Sequence, residues 1–165
     1  MQYPIKLTVD QIAEPDSENL ADNAWNVSLC LVDEKSDEAE ELRKLTPAWR
    51  AVKVTYHLFV EVQNGGLHQF FWNTEGTLND FVREGLQLFG ASPYLKIFVD
   101  ACAIFDAHDY EAEKRDSGNT WEGFTSAYRE KRLEELDTAF YNQYNVKSLP
   151  EFIADYIRAN PNEFT

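Results

Sequence analysis

Apolar residues recur at helical spacing along most of the chain, and brief clusters of Gly, Pro, Ser and Asn divide them into separate runs. Ile5, Leu7 and Val9 alternate and read as a short extended arm over residues 1–16. From there to residue 160 the pattern predicts a helical core. Leu20, Ala24, Trp25 and Leu31 follow a Ser17 cap, and a short, highly charged helix spans 37–45. Thr46-Pro47 supplies a cap and a first-turn proline for a third helix. Its wide apolar face (Val52, Tyr56 and Phe59, with Ala51, Thr55, Leu58 and Val62 beside them) predicts a central helix packed on two sides. Asn64-Gly65-Gly66 ends that helix, glycine being suited to the left-handed conformation of a helix C-terminus.

The same grammar continues. Thr77 opens a helix carrying Phe81, Val82, Leu86 and Phe89, closed by Gly90, and Ser92-Pro93 opens the next, with Leu95, Phe98, Val99, Cys102 and Phe105 directed inward. After a polar segment, 106–119, comes a helical run bearing Leu133, Leu136, Phe140 and Tyr144. Ser148-Leu149-Pro150-Glu151 is a capping box for a last helix that Asn160-Pro161 stops. The expected fold is all-α: a single compact multi-helix domain over 1–165, with a short extended N-terminal arm.

Composition supports a folded chain, since 44% hydrophobic and 14% aromatic residues in 165 suffice for a core without staples. Cys30 and Cys102 both sit in apolar stretches and read as reduced core residues. No apolar run has the length of a membrane helix, and Met-Gln-Tyr-Pro-Ile-Lys has no signal-like hydrophobic segment, so a cytoplasmic location is expected.

Charge changes the picture. The formal net charge is −14 and the pI about 4.5, which disfavours direct contact with nucleic acid or anionic membrane and directs attention to basic partners. Residues 10–41 hold eleven acids against one base, Lys35; residues 100–116 hold six against Lys114 and Arg115; the remainder balances. On a helix through the first segment, Glu34, Glu38 and Glu41 form one acidic stripe and Asp33, Asp37 and Glu40 another. Like charges four apart repel, so local stability does not explain the pattern. Carboxylates four positions apart stand about 6 Å apart along a helix, the order of the roughly 7 Å between successive phosphates of one DNA strand. Such a face can imitate phosphates. In the second segment Asp106, Asp109, Glu113 and Asp116 form a further row, with Glu111 close by, and Glu130, Glu134 and Asp137 a third. A solvated face serving solubility is the bland alternative, but confinement of the excess to two segments favours a dedicated surface.

Catalytic signatures are missing from the sequence. His57 and Glu61, four apart, have no third ligand at a telling spacing and read as a structural pair; His108 reads as exposed; neither cysteine has an activating base, and Gly65-Gly66 lacks the rest of a phosphate loop. No enzyme, metal or cofactor is expected.

The most specific segment runs from Glu61 to Gly76. It reads as a structural knot in which Asn64, Gln69 and Asn73 satisfy backbone groups freed at a double-glycine turn, while Phe70, Phe71 and Trp72 bury around them. Through Asn64, Gly65, Gly66, Gln69, Phe70, Phe71 and Asn73 it resembles the signature Asn-Gly-Gly-x-x-Gln-Phe/Tyr-Phe-x-Asn of a bacterial all-helical family, that of the neisserial DNA-mimic proteins, over about residues 20–160. The resemblance implies a helical fold, a homodimer and occupation of the DNA-binding surface of a transcription factor; it implies no catalytic residue. With the charge pattern it leads to one expectation: a DNA mimic whose phosphate-like groups are Asp33, Glu34, Asp37, Glu38, Glu40, Glu41, Asp106, Asp109, Glu111, Glu113 and Asp116, and whose partner is a basic DNA-binding protein of the helix-turn-helix kind. An immunity-type inhibitor of a nuclease toxin is the alternative with the same need for an acidic face.

Overall fold

The computed structural model describes residues 6–33, 37–107, 115–116, 118, 120, 122–123 and 133–165. Among these residues there are eight α-helices and no strand: α1 (Val9–Ile12), α2 (Ser17–Leu29), α3 (Glu38–Lys44), α4 (Pro47–Thr74), α5 (Asn79–Leu88), α6 (Ser92–Asp106), α7 (Glu134–Tyr144) and α8 (Leu149–Ala159), followed by a 3-10 turn, Pro161–Glu163. The helical fold is the one expected from the apolar period.

Local chemistry sets most boundaries. The Thr46 hydroxyl accepts the Trp49 N–H and Pro47 occupies the first turn of α4. Ser148 and Glu151 form the reciprocal capping box of α8, and Asn160 ends it. At α2 the cap is Asp16, one residue before the expected Ser17; its carboxylate accepts the Asn19 N–H at 3.0 Å. Within the arm, Thr8 and Gln11 make a capping box, so Val9–Ile12 is helical where the alternation suggested extended chain. Thr77 does not cap α5: its hydroxyl donates to the Thr74 carbonyl and the helix begins at Asn79.

α4 is the axis, with α2, α5, α7 and α8 packed around it, α8 also on α2, and α6 joining α5 to α7. Ala51, Val52, Thr55, Leu58 and Val62 are all buried. The two ends of the chain meet beside it. The Leu7 N–H donates to the Phe164 carbonyl at 2.8 Å, the Phe164 ring packs edge-on against Trp49, and Arg158 reaches Ser17 Oγ and the carbonyls of Glu14 and Pro15. Two apolar residues expected inside lie outside. Val99 is 45% exposed, because the inner face of α6 is carried by Tyr94, Phe98, Ala101 and Cys102. Cys30 is exposed as the residue that ends α2, whereas Cys102 is buried and its thiol is pushed up to about 11, chiefly by burial.

α5 approaches α4 closely at Gly85. A Cβ there would lie 2.8 Å from Thr55 Cγ2 and 3.2 Å from the Ala51 Cα of α4. An exposed helical Gly→Ala change gains about 1 kcal/mol in propensity, but here overpacking by about 1–3 kcal/mol opposes it. Gly85→Ala should therefore destabilise the protein, and adding Thr55→Ala, which removes the nearer obstacle, should recover part of the loss in a thermal melt.

Candidate functional site

The knot expected at Glu61–Gly76 is a break inside α4. Gly65 has φ −161° and ψ 26°, Gly66 has φ 74° and ψ −178°, and helix resumes at Leu67 to end at a left-handed Glu75. Gly66 is thus not in the left-handed helical region expected of a terminating glycine. It occupies a conformation that is essentially closed to other residues.

The groups freed by the break are satisfied from a distance. The Leu67 N–H donates to Asp137 Oδ1 at 2.7 Å, so a carboxylate of α7 caps the second half of α4 across 70 residues of sequence. Tyr141, one turn further along α7, donates its hydroxyl to the Val62 carbonyl at 2.7 Å. Gln69 and Asn73 do not bond to backbone, as had been expected of them: both amides donate to Glu61 Oε2, at 2.8 and 2.7 Å, while His57 Nε2 lies 3.3 Å from Glu61 Oε1. Glu61 is therefore a clasp between the two halves of α4. Asn64 is exposed and takes no part in it. Phe70 and Phe71 are buried against α6, with Phe71 stacked on Phe105 at 4.6 Å and Phe70 edge-on to Phe98.

This geometry explains the paired glycines. A Cβ on Gly66 would sit 2.6 Å from Asp137 Oδ2, and one on Gly65 would collide with the Gln69 amide that Glu61 holds. It also disfavours a metal at His57 and Glu61, because two amide N–H donors already point at the carboxylate. Among the described residues no group of three or more His, Cys, Asp or Glu could hold a metal ion, and no helix is long and apolar enough to cross a membrane.

The expected phosphate-like acids are placed very differently from one another. Asp37 is the cap of α3, with φ −59° and ψ 121°, and its carboxylate accepts the Glu40 N–H at 2.9 Å. Helix therefore starts at Glu38, and the two continuous stripes expected through residues 33–41 do not form. Glu41 is buried beside Leu42, bonded to Lys44 and to the Asp33 N–H, and the Lys44 hydrogen bond is the main reason its carboxyl lies below the usual range. Glu38 stands 3.9 Å from the buried Lys53 of α4. Asp33, Asp37 and Glu40 are exposed. Asp106 is exposed as the last residue of α6, and Asp116 is exposed too; Glu34, Asp109, Glu111 and Glu113 lie outside the described residues, as do His108 and Glu130. Of the third row, Glu134 faces solvent but Asp137 is buried as the cap just described, so that row is no surface feature.

Within the acidic 10–41 segment, the sequence reading gives α2 no stripe of its own. Glu18 and Asp22, one turn apart, are exposed, and each carboxylate accepts a tyrosine hydroxyl from another helix: Glu18 from Tyr144, Asp22 from Tyr56 at 3.3 Å. Among the described residues no Lys or Arg pairs with either. Their i, i+4 spacing was visible; the tyrosines beneath were not.

The family model of the DMP19-like protein matches residues 43–160. The chain belongs to the DMP19-like family. This is the family expected from the double-glycine signature, one of DNA mimics and not a known enzyme family, and its membership implies a DNA-binding protein as partner. The match takes in the broken α4, α5 to α8 and the clasp, and it begins after the acidic 10–41 segment. No curated protein and no solved structure matches the chain.

Burial raises the Asp137 carboxyl above its ordinary value of 3.8, against the opposing effect of the Leu67 N–H. A group raised in the folded state favours folding most below its unfolded pKa, and that contribution is lost as pH rises through the folded one. Asp137→Asn, which keeps an acceptor and drops the charge, should gain stability relative to wild type as pH rises from about 3.8 upward in urea titrations. Asp137→Ala, which strands a buried N–H, should cost about 1–3 kcal/mol at neutral pH.

Proposed function

We propose that this chain is a non-catalytic DNA mimic whose carboxylates stand in for the phosphates of double-stranded DNA. It blocks a transcription factor of the helix-turn-helix kind from its operator and so regulates gene expression. It acts in the cytoplasm as a homodimer, needs no cofactor, and touches neither nucleic acid nor membrane itself. One observation carries this reading: on a chain of the DMP19-like family, Asp10, Asp16, Glu18, Asp22, Asp33, Asp37, Glu38 and Glu40 are all exposed within a segment whose only base is Lys35.

The groups that meet the partner's Arg and Lys are, in this reading, Asp33, Glu34, Asp37, Glu38 and Glu40, with Glu18 and Asp22 of α2 added, and Asp106, Asp109, Glu111, Glu113 and Asp116 as a second patch. Glu41 serves α3 itself, through Lys44, and contributes little to the outside. Helices α2 and α3 hold Glu18, Asp22, Glu38 and Glu40 before the partner arrives, which lowers the cost of fixing them on binding. The dispersed bases of the partner then meet an already patterned surface, as they do on DNA.

Binding of this kind is steeply salt dependent, because the screening length falls from about 8 Å at 0.15 M to about 3 Å at 1 M. Immobilised full-length protein should retain a basic DNA-binding protein from extract at low salt and release it well below 1 M. Added in solution, it should displace labelled duplex DNA from that partner, and the triple reversal Glu18→Lys, Asp22→Lys, Glu40→Lys should weaken displacement at least tenfold while the variant keeps the helical circular dichroism of the wild type. A partner that remains bound at 1 M salt, or a reversed variant that competes as well as wild type, would refute phosphate mimicry. Inhibition of a nuclease in place of DNA displacement would support the immunity-type alternative.

A further inference from the structure

Resting on the mimic reading above, we propose that Tyr56 and Tyr144 are positioning residues that hold the Asp22 and Glu18 carboxylates of α2 in the fixed spacing a basic partner meets. The two tyrosines come from different helices, α4 and the end of α7, and neither phenol is independently mobile. Trp25 stacks on Tyr56 with ring centroids 5.1 Å apart and planes at 28°; Tyr56 meets Phe59 edge-on at 5.5 Å; Phe59 stacks on Tyr144 at 6.1 Å and 10°. This ladder of four rings runs beneath the exposed face of α2 and presents two hydroxyls to it. Tyr56, 7% exposed, donates to Asp22 Oδ1, and Asp22 Oδ2 takes the Asn26 amide at 3.0 Å. Tyr144 donates to Glu18 Oε1.

A carboxylate oxygen accepts more than one hydrogen bond, so each acid keeps acceptor capacity toward the outside while one edge is pinned. Both phenols ionise above the usual tyrosine range, Tyr56 mainly through burial and then Asp22, Tyr144 mainly through its bond to Glu18. They therefore remain donors at neutral pH. An unpinned surface carboxylate must be ordered when a partner binds, a cost equivalent to about two- to tenfold in affinity for each side chain. The hydroxyls also compete for one acid oxygen apiece, and the proposal requires the ordering effect to exceed that competition. The tyrosines belong to the region matched by the family, while the acids they hold belong to the segment before it. In this view α2 adds charge to a surface that the family fold has already stiffened from below.

The test uses the full chain and a fluorescent nona-arginine peptide, with anisotropy titrations between 50 and 300 mM salt. Tyr144→Phe and Tyr56→Phe keep every ring and lose only the hydroxyls. Each should weaken peptide binding about two- to tenfold, with the slope of log affinity against log salt unchanged, since no charge is removed. The pair Glu18→Gln, Asp22→Asn should weaken binding and lower that slope. In a spectrophotometric titration Glu18→Gln should also bring one phenol to a lower ionisation midpoint, a shift that a purely packing role would not produce. Tyr144 stands at the outer end of the ladder, so its variant carries the test should Tyr56→Phe fail to fold. Phe variants that bind as well as wild type or better, alongside weakened amide variants, would overturn the positioning role and leave the mimic reading standing. Amide variants that bind normally would overturn the α2 surface itself.

Discussion

The structure depends on a break in its central helix. α4 runs from Pro47 to Thr74, and beyond its interruption at Gly65 and Gly66 it places Phe70 and Phe71 against Phe98 and Phe105 of α6. A helix broken in mid-core exposes backbone donors and acceptors where water does not reach, which costs more than the glycines' own flexibility. The remedy is supplied by α7. Asp137 takes the Leu67 N–H, Tyr141 gives its hydroxyl to the Val62 carbonyl, and these contacts fix α7 against α4. Glu61 then spans the break within α4 itself, through Gln69 and Asn73. One backbone discontinuity thereby sets the positions of α4, α6 and α7 relative to one another.

What the sequence revealed was whatever is settled within a few residues. The Thr46-Pro47 opening, the Ser148–Glu151 capping box, the Asn160-Pro161 stop and the Gly65-Gly66 interruption all depend on neighbours, and each stands where it was expected. The partners of the break were hidden because they are remote. Asp137 was indistinguishable in the sequence from the surface acids around it; its burial follows from how α7 lies on α4. Gln69 and Asn73 looked like backbone acceptors and donors because short-range bonding is their commonest use, and the carboxylate they serve lies on the other side of a turn whose angle the sequence does not specify. Cys30 and Val99 show the same limit, since apolar character alone does not tell which side of a helix faces the core.

The acidic residues divide along the same line. Their number and confinement to 10–41 are plain in the sequence, but in the structure they are not equivalent. Leu42, buried, sets the rotation of α3, on which Glu41 is buried beside it and bonded to the exposed Lys44 while Glu38 lies toward Lys53. Asp37 is the N-terminal cap of α3, so helix begins only at Glu38 and the two long stripes are not continuous. By contrast α2 contains no Lys or Arg from Ser17 to Leu29, and among the described residues its exposed Glu18 and Asp22 are met by neutral donors. A buried carboxylate paired with a cation, as Glu41 is with Lys44, offers little field to a partner, whereas an exposed one bonded to a hydroxyl does not have its charge offset.

The family match begins at residue 43, after the segment that carries most of the excess charge, and this separates the fold from its electrostatic surface. The matched region contains the broken helix, the clasp and three of the four ladder rings, Tyr56, Phe59 and Tyr144, all of which are needed whatever the surface charge. Repulsion between neighbouring carboxylates on α2 and α3 costs only a few tenths of a kcal/mol per pair. The apolar core, by contrast, is built from side chains each contributing about 1.5–3 kcal/mol on full burial. Such a body can carry a row of uncompensated acids without losing its structure, and the acids can change in number or position without altering the body. The shape of the chain thus follows from its break and its core, and its surface charge from the residues laid over them.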